Sequence, residues 1–558
     1  MVAEDIYELC DALVDETAAL SPVSATMLGI KGYDNLWDDF STEGCEEQRR
    51  AAQGQLARVR AAEVGDDPWA SLAAEVAAAA IADELARFDT DEHLRDLNSL
   101  ASTLQHVRDV FDHMGKESRE DWEAVASRLE GLPAAIEAYG HRLEDGRQRG
   151  LAVARRQAVE GVRQARNAAG PESTLLRLAG EWEAAALGDE ALGRRVEEGT
   201  EGARAAFGAL ADYLEADYLP SACEEDGVGE DRYGRLARRF LGSSPDLRAT
   251  YDWGWTEVER LLGRMRETAE AISPGASLPE VLRLLQEDPA RAASSPGEFR
   301  DLMQERQATA LAELEGVHFD VPEPIRRVEV KLAPPGGALG AFYVGPSEDF
   351  SRPGTVWFAI GELQVIPLFD QVSTAYHEGF PGHHLQNGIQ LASAARLSRF
   401  QKLLVWYSGS GEGWALYAED LMEELGYLEK PEYLMGKLAS EILRACRVVI
   451  DIGCHLSLLI PGGQPFHPGE GWSFDAGVEM LVDYAAQSPE VARSEMTRYL
   501  GWPGQAISYK VGQQAIRDLR AEAQRRQGAG FDRKAFHARV LEIGSVGLDV
   551  LRRHVARP

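Results

Sequence analysis

A mainly α-helical fold is predicted by three features of this 558-residue chain. From the N-terminus to about Gly316 the text is dominated by Ala, Leu, Glu and Arg with few β-branched runs, the composition of helices. Between Val321 and Ile360 Pro and Gly become frequent and short alternating segments replace the helical pattern. Beyond that point helical text resumes and runs to the end. The expectation is one large helical body with lobes, a helical lobe over residues 1–320 and a second lobe over 321–558 that opens with a small sheet, the two packed as one structural unit.

Each element has a local cause. "PWASLAAEVAAAAIADELARF" and "TEVERLLGRMRETAEAI" carry strong helix formers at helical spacing. "GLPAAI", "CEEDGVGEDRYG" and "GSSPDL" punctuate them and read as turns between helices. "RVEVKL", "GAFYVG" and "TVWFAI" are the three expected short strands. They stand directly before the segment Phe369 to Gln386, which holds the chemistry. No fixed-period repeat is present.

The composition is that of a globular protein, 44% hydrophobic and 27% charged. A formal charge of −33 repels phosphates, so nucleic acid and anionic membrane are excluded as general partners. No stretch approaches the ~18 consecutive apolar residues of a membrane span. The opening MVAEDIYELC is acidic where a signal peptide is basic, which predicts a cytoplasmic protein. The five cysteines form no CxxC pair and read as reduced thiols.

The stretch "TAYHEGFPGHHLQNG", Thr374 to Gly388, decides the functional reading. In H-E-x-x-H zinc hydrolases two histidines stand at i and i+4 on one helical face. Here His377 and His383 are six apart, a rotation of ~240° and a rise of ~9 Å on a straight helix. Ligand nitrogens on one tetrahedral zinc lie only ~3.4 Å from one another, so a metal site requires an interrupted helix. Pro381 and Gly382 supply the interruption, one by removing a donor and clashing with the carbonyl four residues back, the other by permitting unusual backbone angles. A two-residue bulge there brings His383 to the place that i+4 occupies in the uninterrupted pattern. The bland reading is a pair of helix-end histidines at a Pro-Gly stop. Three histidines beside a Glu within eight residues favour the metal site.

A third ligand is expected from "YSGSGEGWALYAEDLMEELG". Glu412 and Glu419 are two turns apart and share a face with Ala415 and Leu416, where a buried carboxylate needs a cation. Glu412 is the candidate ligand, and Glu419 is placed to orient a ligating histidine by accepting its other N–H. An exposed acidic face is the alternative in so acidic a chain.

"YHEGFPGHHLQ", "EGWALYAEDL" and "RYLGWPGQAISYKVG" resemble the signature blocks of a large bacterial family long catalogued as a domain of unknown function, with an HExxPGHH motif. Weaker similarity in "GVGEDRYGRL", "AFYVGPSEDFSRPG" and "RVVIDIGCH" extends it over most of the chain. That family is similar to the gluzincin peptidases, such as thermostable zinc carboxypeptidases and angiotensin-converting enzyme. The resemblance implies a two-lobed helical body around a deep cleft with the sheet beside it. It also implies one zinc ion per chain held by His377, His383 and Glu412, with Glu378 as general base. Four residues stand between Glu378 and His383 where the relatives have two, so His384 remains an alternative ligand, and the bulge favours His383. Tyr509 is the expected donor to the tetrahedral intermediate by analogy. His455 and Arg447 are weaker candidates for that work, and Tyr343 is a candidate for lining the cleft. The implied activity is zinc-dependent hydrolysis of short peptides by an exopeptidase. A zinc hydrolase of a non-peptide amide or ester is the first rival, and a helical binding or scaffold protein with an inactive metal site is the second.

Overall fold

A computed structural model describes residues 5–333, 340–347, 349–393 and 396–556. The first four residues, whose acidity entered the cytoplasmic expectation, and Glu348 of "AFYVGPSEDFSRPG" lie outside them. The fold is mainly α-helical, with small sheets of three and two strands. The chain forms two compact units, Met1–Val228 with Leu500–Trp502, and Gly229–Tyr499 with Pro503–Pro558.

In the first unit the helix Arg119–Gln148 begins at a capping box. The Ser118 hydroxyl accepts the amide of Asp121 at 3.1 Å, and the Asp121 carboxylate accepts the amide of Ser118 at 2.8 Å. Trp122, Val125, Leu129, Leu132, Ile136 and Tyr139 recur every three or four residues and are buried against the helix Glu190–Tyr213. That partner offers Val196, Ala203, Phe207 and Leu210.

In the second unit the helix Leu247–Ile272 packs along Pro431–His455, and Ser408–Glu424 packs along Ser508–Gln527. The helix Pro296–Leu314 packs on Gln371–Glu378. These contacts move the expected boundary. Composition changes near residue 320 because strands begin there, but packing divides the chain at Val228 and Gly229, since the helices that follow bury their apolar faces on the metal-site half. A buried ion cluster joins three of these helices to Glu257. Lys510 Nζ lies 2.9 Å from both Glu257 and Glu441, and Lys437 Nζ lies 2.7 Å from Asp420 and 3.2 Å from Glu441. Matched partners are what make such burial tolerable.

The three expected strands are all present, as Val328–Leu332, Gly340–Val344 and Gly354–Ala359. Gly354–Ala359 is central, parallel to the first and antiparallel to the second, with Val330 opposite Val356 and Phe342 opposite Trp357. Val356 and Phe358 are buried, and Phe358 meets Phe299 of the helix Pro296–Leu314 edge-on at 5.1 Å. Gln304 of the same helix caps the outer edge of the first strand: its amide donates to the Val328 carbonyl at 3.0 Å and accepts the Val330 amide at 2.9 Å. The strand Gly340–Val344 touches the helix that carries His377, and Gly354–Ala359 touches the helix that carries His383.

Candidate metal centre

The histidine segment is two helices, Gln371–Glu378 and His383–Ala392, separated by Gly379–Gly382. The expected bulge inside one helix is therefore a full break. Pro381, in a cis peptide after Phe380, offers no amide, and the turn closes through Gly382 donating to the Tyr376 carbonyl at 3.0 Å. A Cβ at residue 382 would lie 2.0 Å from the His377 carbonyl oxygen, so only glycine allows the chain to fold back so tightly. Two side chains clamp the break. Gln307, fully buried on the helix Pro296–Leu314, donates to the Ala375 carbonyl at 2.7 Å and accepts the Phe380 amide at 2.7 Å. Trp414 donates its indole N–H to the Pro381 carbonyl at 2.9 Å.

The break brings together side chains that a straight helix would splay. The rings of His377 and His383 stand 4.9 Å apart at 88°. Glu412 Oε2 lies 3.3 Å from His377 Nε2 and 3.5 Å from His383 Nε2, and all three donor atoms fall within 4.8 Å of one another. Both distances exceed a charge-assisted hydrogen bond and match the ~3.4 Å between donors on a tetrahedral ion with ~2.1 Å bonds. His383 is buried, and its Nδ1 has no hydrogen-bond partner among the described residues. Burial opposes charge on His377, yet Glu412 and Glu419 outweigh it and hold the imidazole up at about 9. Burial likewise opposes charge on Glu412, and the two histidines hold its carboxyl well below the carboxylate range. Two imidazole nitrogens and a carboxylate oxygen within 4.8 Å of one another are a donor set and spacing that fit a zinc-type ion.

Glu419 stands behind His377, with Oε1 2.8 Å from Nδ1, which leaves Nε2 to face Glu412. Glu419 also accepts the Ser373 hydroxyl and lies 4.0 Å from Arg444. Glu378 is half-buried and is not one of the three converging donors. Burial raises its carboxyl, while the neighbouring histidines and Arg444 pull it down.

Tyr509 lies at the start of a helix that touches the Glu412 helix backbone to backbone. A Cβ at residue 413 would lie 2.4 Å from the carbonyl carbon of Gly512, so glycines at the crossing bring the start of Ser508–Gln527 against the Glu412 helix. Arg447 and Arg444 sit 4.9 and 5.8 Å from the Tyr509 ring centre. Burial and then the Glu412 charge raise the phenol.

The remaining expected residues have other partners. His384 is buried with Nδ1 3.0 Å from the Tyr343 hydroxyl and Nε2 2.8 Å from the Ile325 carbonyl, so both nitrogens are taken and the alternative-ligand reading falls. Tyr343, the candidate for lining the cleft, ties its strand to the His383 helix through this contact. His455 is buried against Tyr233, with Nε2 3.1 Å from the Tyr499 carbonyl, and a sealed imidazole cannot serve an intermediate. Arg447 is bound to Glu495 at 2.8 Å and to the Tyr499 hydroxyl at 3.0 Å, a support for Tyr509 and not a free donor. Sequence reasoning missed Gln307 and Arg444, which come from other helices and carry no local signal, and Ser373, which stands one turn before His377 on the same helix. Trp414 was visible inside "EGWALYAEDL" without its role.

Fold and site together define a mainly α-helical protein with a His-His-Glu cluster, its histidines buried and its glutamate half-buried, that could hold a metal ion. The chain belongs to the family described as bacterial protein of unknown function (DUF885), whose model matches residues 22–555. No curated protein matches it. Two solved structures share the fold, each described as a "putative lipoprotein". One, from Colwellia psychrerythraea, is 22% identical, with a TM-score of 0.85 over 100% of this chain and 99% of its own. The other, of unknown function and from Shewanella oneidensis, is 16% identical, with a TM-score of 0.76 over 100% of both chains. The cytoplasmic expectation is corrected by this finding. Neighbours that share the whole fold carry that "putative lipoprotein" description, and net charge reports on solubility, not on compartment. No described helix is long and apolar enough to cross a membrane.

Proposed function

We propose that this protein is a zinc-dependent peptidase that hydrolyses short peptides, acting as an exopeptidase. The observation that carries the reading is the convergence of His377, His383 and Glu412 on one point with Glu378, a carboxylate raised by burial, next in sequence to His377. A zinc ion held by these three would supply Lewis acidity and would make water a usable nucleophile near neutral pH.

The chain's own groups would do the rest. Glu378 takes the proton from the attacking water and passes it to the leaving amine. Glu419 keeps His377 in the tautomer that turns Nε2 toward the centre. Tyr509, under two guanidinium groups, donates its hydroxyl to the carbonyl oxygen as charge develops there. The strand Gly340–Val344 pairs on one side only among the described strands and borders the His377 helix, which suits an extended peptide laid along its free edge. The exopeptidase preference rests on the similarity to the gluzincin peptidases.

The test is zinc content by elemental analysis together with hydrolysis of a dipeptide and tripeptide library, with and without a chelator. About one zinc per chain and chelator-sensitive cleavage are expected. A zinc-loaded protein that cleaves no peptide overturns the reading.

A further inference from the structure

Trp406 is 47% exposed beside the metal centre, between Val405 and Tyr407, which are both buried. Its backbone is not a free loop. The Tyr407 carbonyl accepts the amides of Ser410 and Gly411 at 3.1 and 3.0 Å, and the Tyr407 amide donates to the Ser545 hydroxyl at 3.3 Å. The indole is held on two sides. Its ring centre lies 6.2 Å from that of His383, tilted by 51°. Its six-membered ring rests on Gly411, where a Cβ would approach Cζ2 and Cη2 to 2.5 Å. Gly411 immediately precedes Glu412, so the indole lies against two of the three helices that carry the candidate ligands and still leaves nearly half of its surface in water.

We propose that Trp406 is a specificity subsite, an aromatic platform that receives the side chain flanking the scissile bond, and that the preferred substrates are short peptides with an aromatic residue there. The proposal rests on the peptidase reading above. A half-exposed indole whose ring centre is 6.2 Å from that of a candidate ligand is placed within reach of a group attached next to the reacting carbonyl. Aromatic rings gain from offset or edge-on contact beyond the area they bury, so an aromatic side chain profits more than an aliphatic one. Gly411 is the enabling residue, because any side chain there would lift the ring off the Glu412 helix.

Two measurements test this on the zinc-loaded protein. The first compares kcat/KM for tri-alanine with that for the three tripeptides carrying one Phe. The second compares binding of phenylacetohydroxamate and acetohydroxamate by calorimetry, which needs metal and subsite but no turnover. Wild type is expected to favour the aromatic member by about tenfold or more in both. Trp406→Ala and Trp406→Leu are expected to cut that preference to about threefold or less, with Trp406→Phe keeping most of it. Zinc content and far-UV circular dichroism establish that each variant is folded, and Leu against Phe decides the matter if Ala is not. An unchanged preference in the variants, or none in wild type, overturns the subsite. Aromatic hydroxamate preference without peptide cleavage sinks the peptidase reading and leaves the platform; cleavage without preference does the reverse.

Discussion

Glu419 Oε1 lies 2.8 Å from His377 Nδ1, on the side of the imidazole turned away from Glu412. The carboxylate therefore fixes which nitrogen faces the centre without approaching the centre itself. Replacing Glu419 by Gln is expected to weaken zinc affinity by about 10–100-fold while the fold persists. Competition with a graded chelator measures this. Unchanged affinity would mean that His377 needs no orienting partner.

Glu378 and Glu412 should separate chemistry from binding. Glu378→Gln keeps the shape and removes the proton acceptor, so zinc content should stay near wild type while peptide hydrolysis falls ~10²–10⁴-fold. Glu412→Gln should lose zinc as well, because a charged donor leaves the cluster. Metal stoichiometry and turnover measured side by side assign the roles, and the opposite pattern reverses them.

Gln307 holds the helix break from outside. Gln307→Leu leaves the Phe380 amide without its buried partner, at about 1–3 kcal/mol, while the Ala375 carbonyl keeps the Gly379 amide at 2.9 Å. Urea unfolding should show that loss, and zinc affinity should fall with it because both histidines flank the break. A stability loss with unaltered zinc affinity would show that the break holds its geometry unaided.

Acid stability has a named contributor in His537. Its Nε2 is 2.9 Å from the Tyr417 hydroxyl and its Nδ1 is 3.2 Å from the His318 carbonyl. Burial, with a smaller push from Arg520 and Arg533, holds the imidazole down to about 3. The unfolded chain takes up this proton near pH 6.5, whereas the folded chain resists it until about 3. The contribution is therefore complete above ~6.5 and is lost as pH falls, by up to ~1.4 kcal/mol per unit. His537→Gln should flatten the decline in urea midpoint between pH 7.5 and 5. A parallel decline in both proteins would assign acid sensitivity to other groups.

What could be read from the sequence was what spacing encodes. The convergence of His377, His383 and Glu412, with Glu419 behind His377, was legible because helical geometry turns separations of six and seven into a requirement and a shared face. Pro381 and Gly382 announced the break, although not that it would separate two helices. The faces of Pro431–His455 were not legible. Arg447 and His455 stand on a helix buried over much of its length, where periodicity does not tell a cleft from a core. Gln307 was invisible for another reason: a lone glutamine in a helical stretch becomes a clamp only through a partner helix almost seventy residues away. The boundary near residue 320 misled because composition records secondary structure, whereas units follow packing.

Gln304 and Gln307 are one helical turn apart on the same helix, and one caps the sheet edge while the other clamps the histidine break. The spacing between sheet and histidines is thus gauged by a rise of about 4.5 Å along a rigid rod and not by the chain that runs between them. The helix works as a jig: residues inserted between strand and histidines would loop out without resetting the distance, whereas one residue inserted between the two glutamines would turn one of them away by ~100° and uncouple sheet from centre.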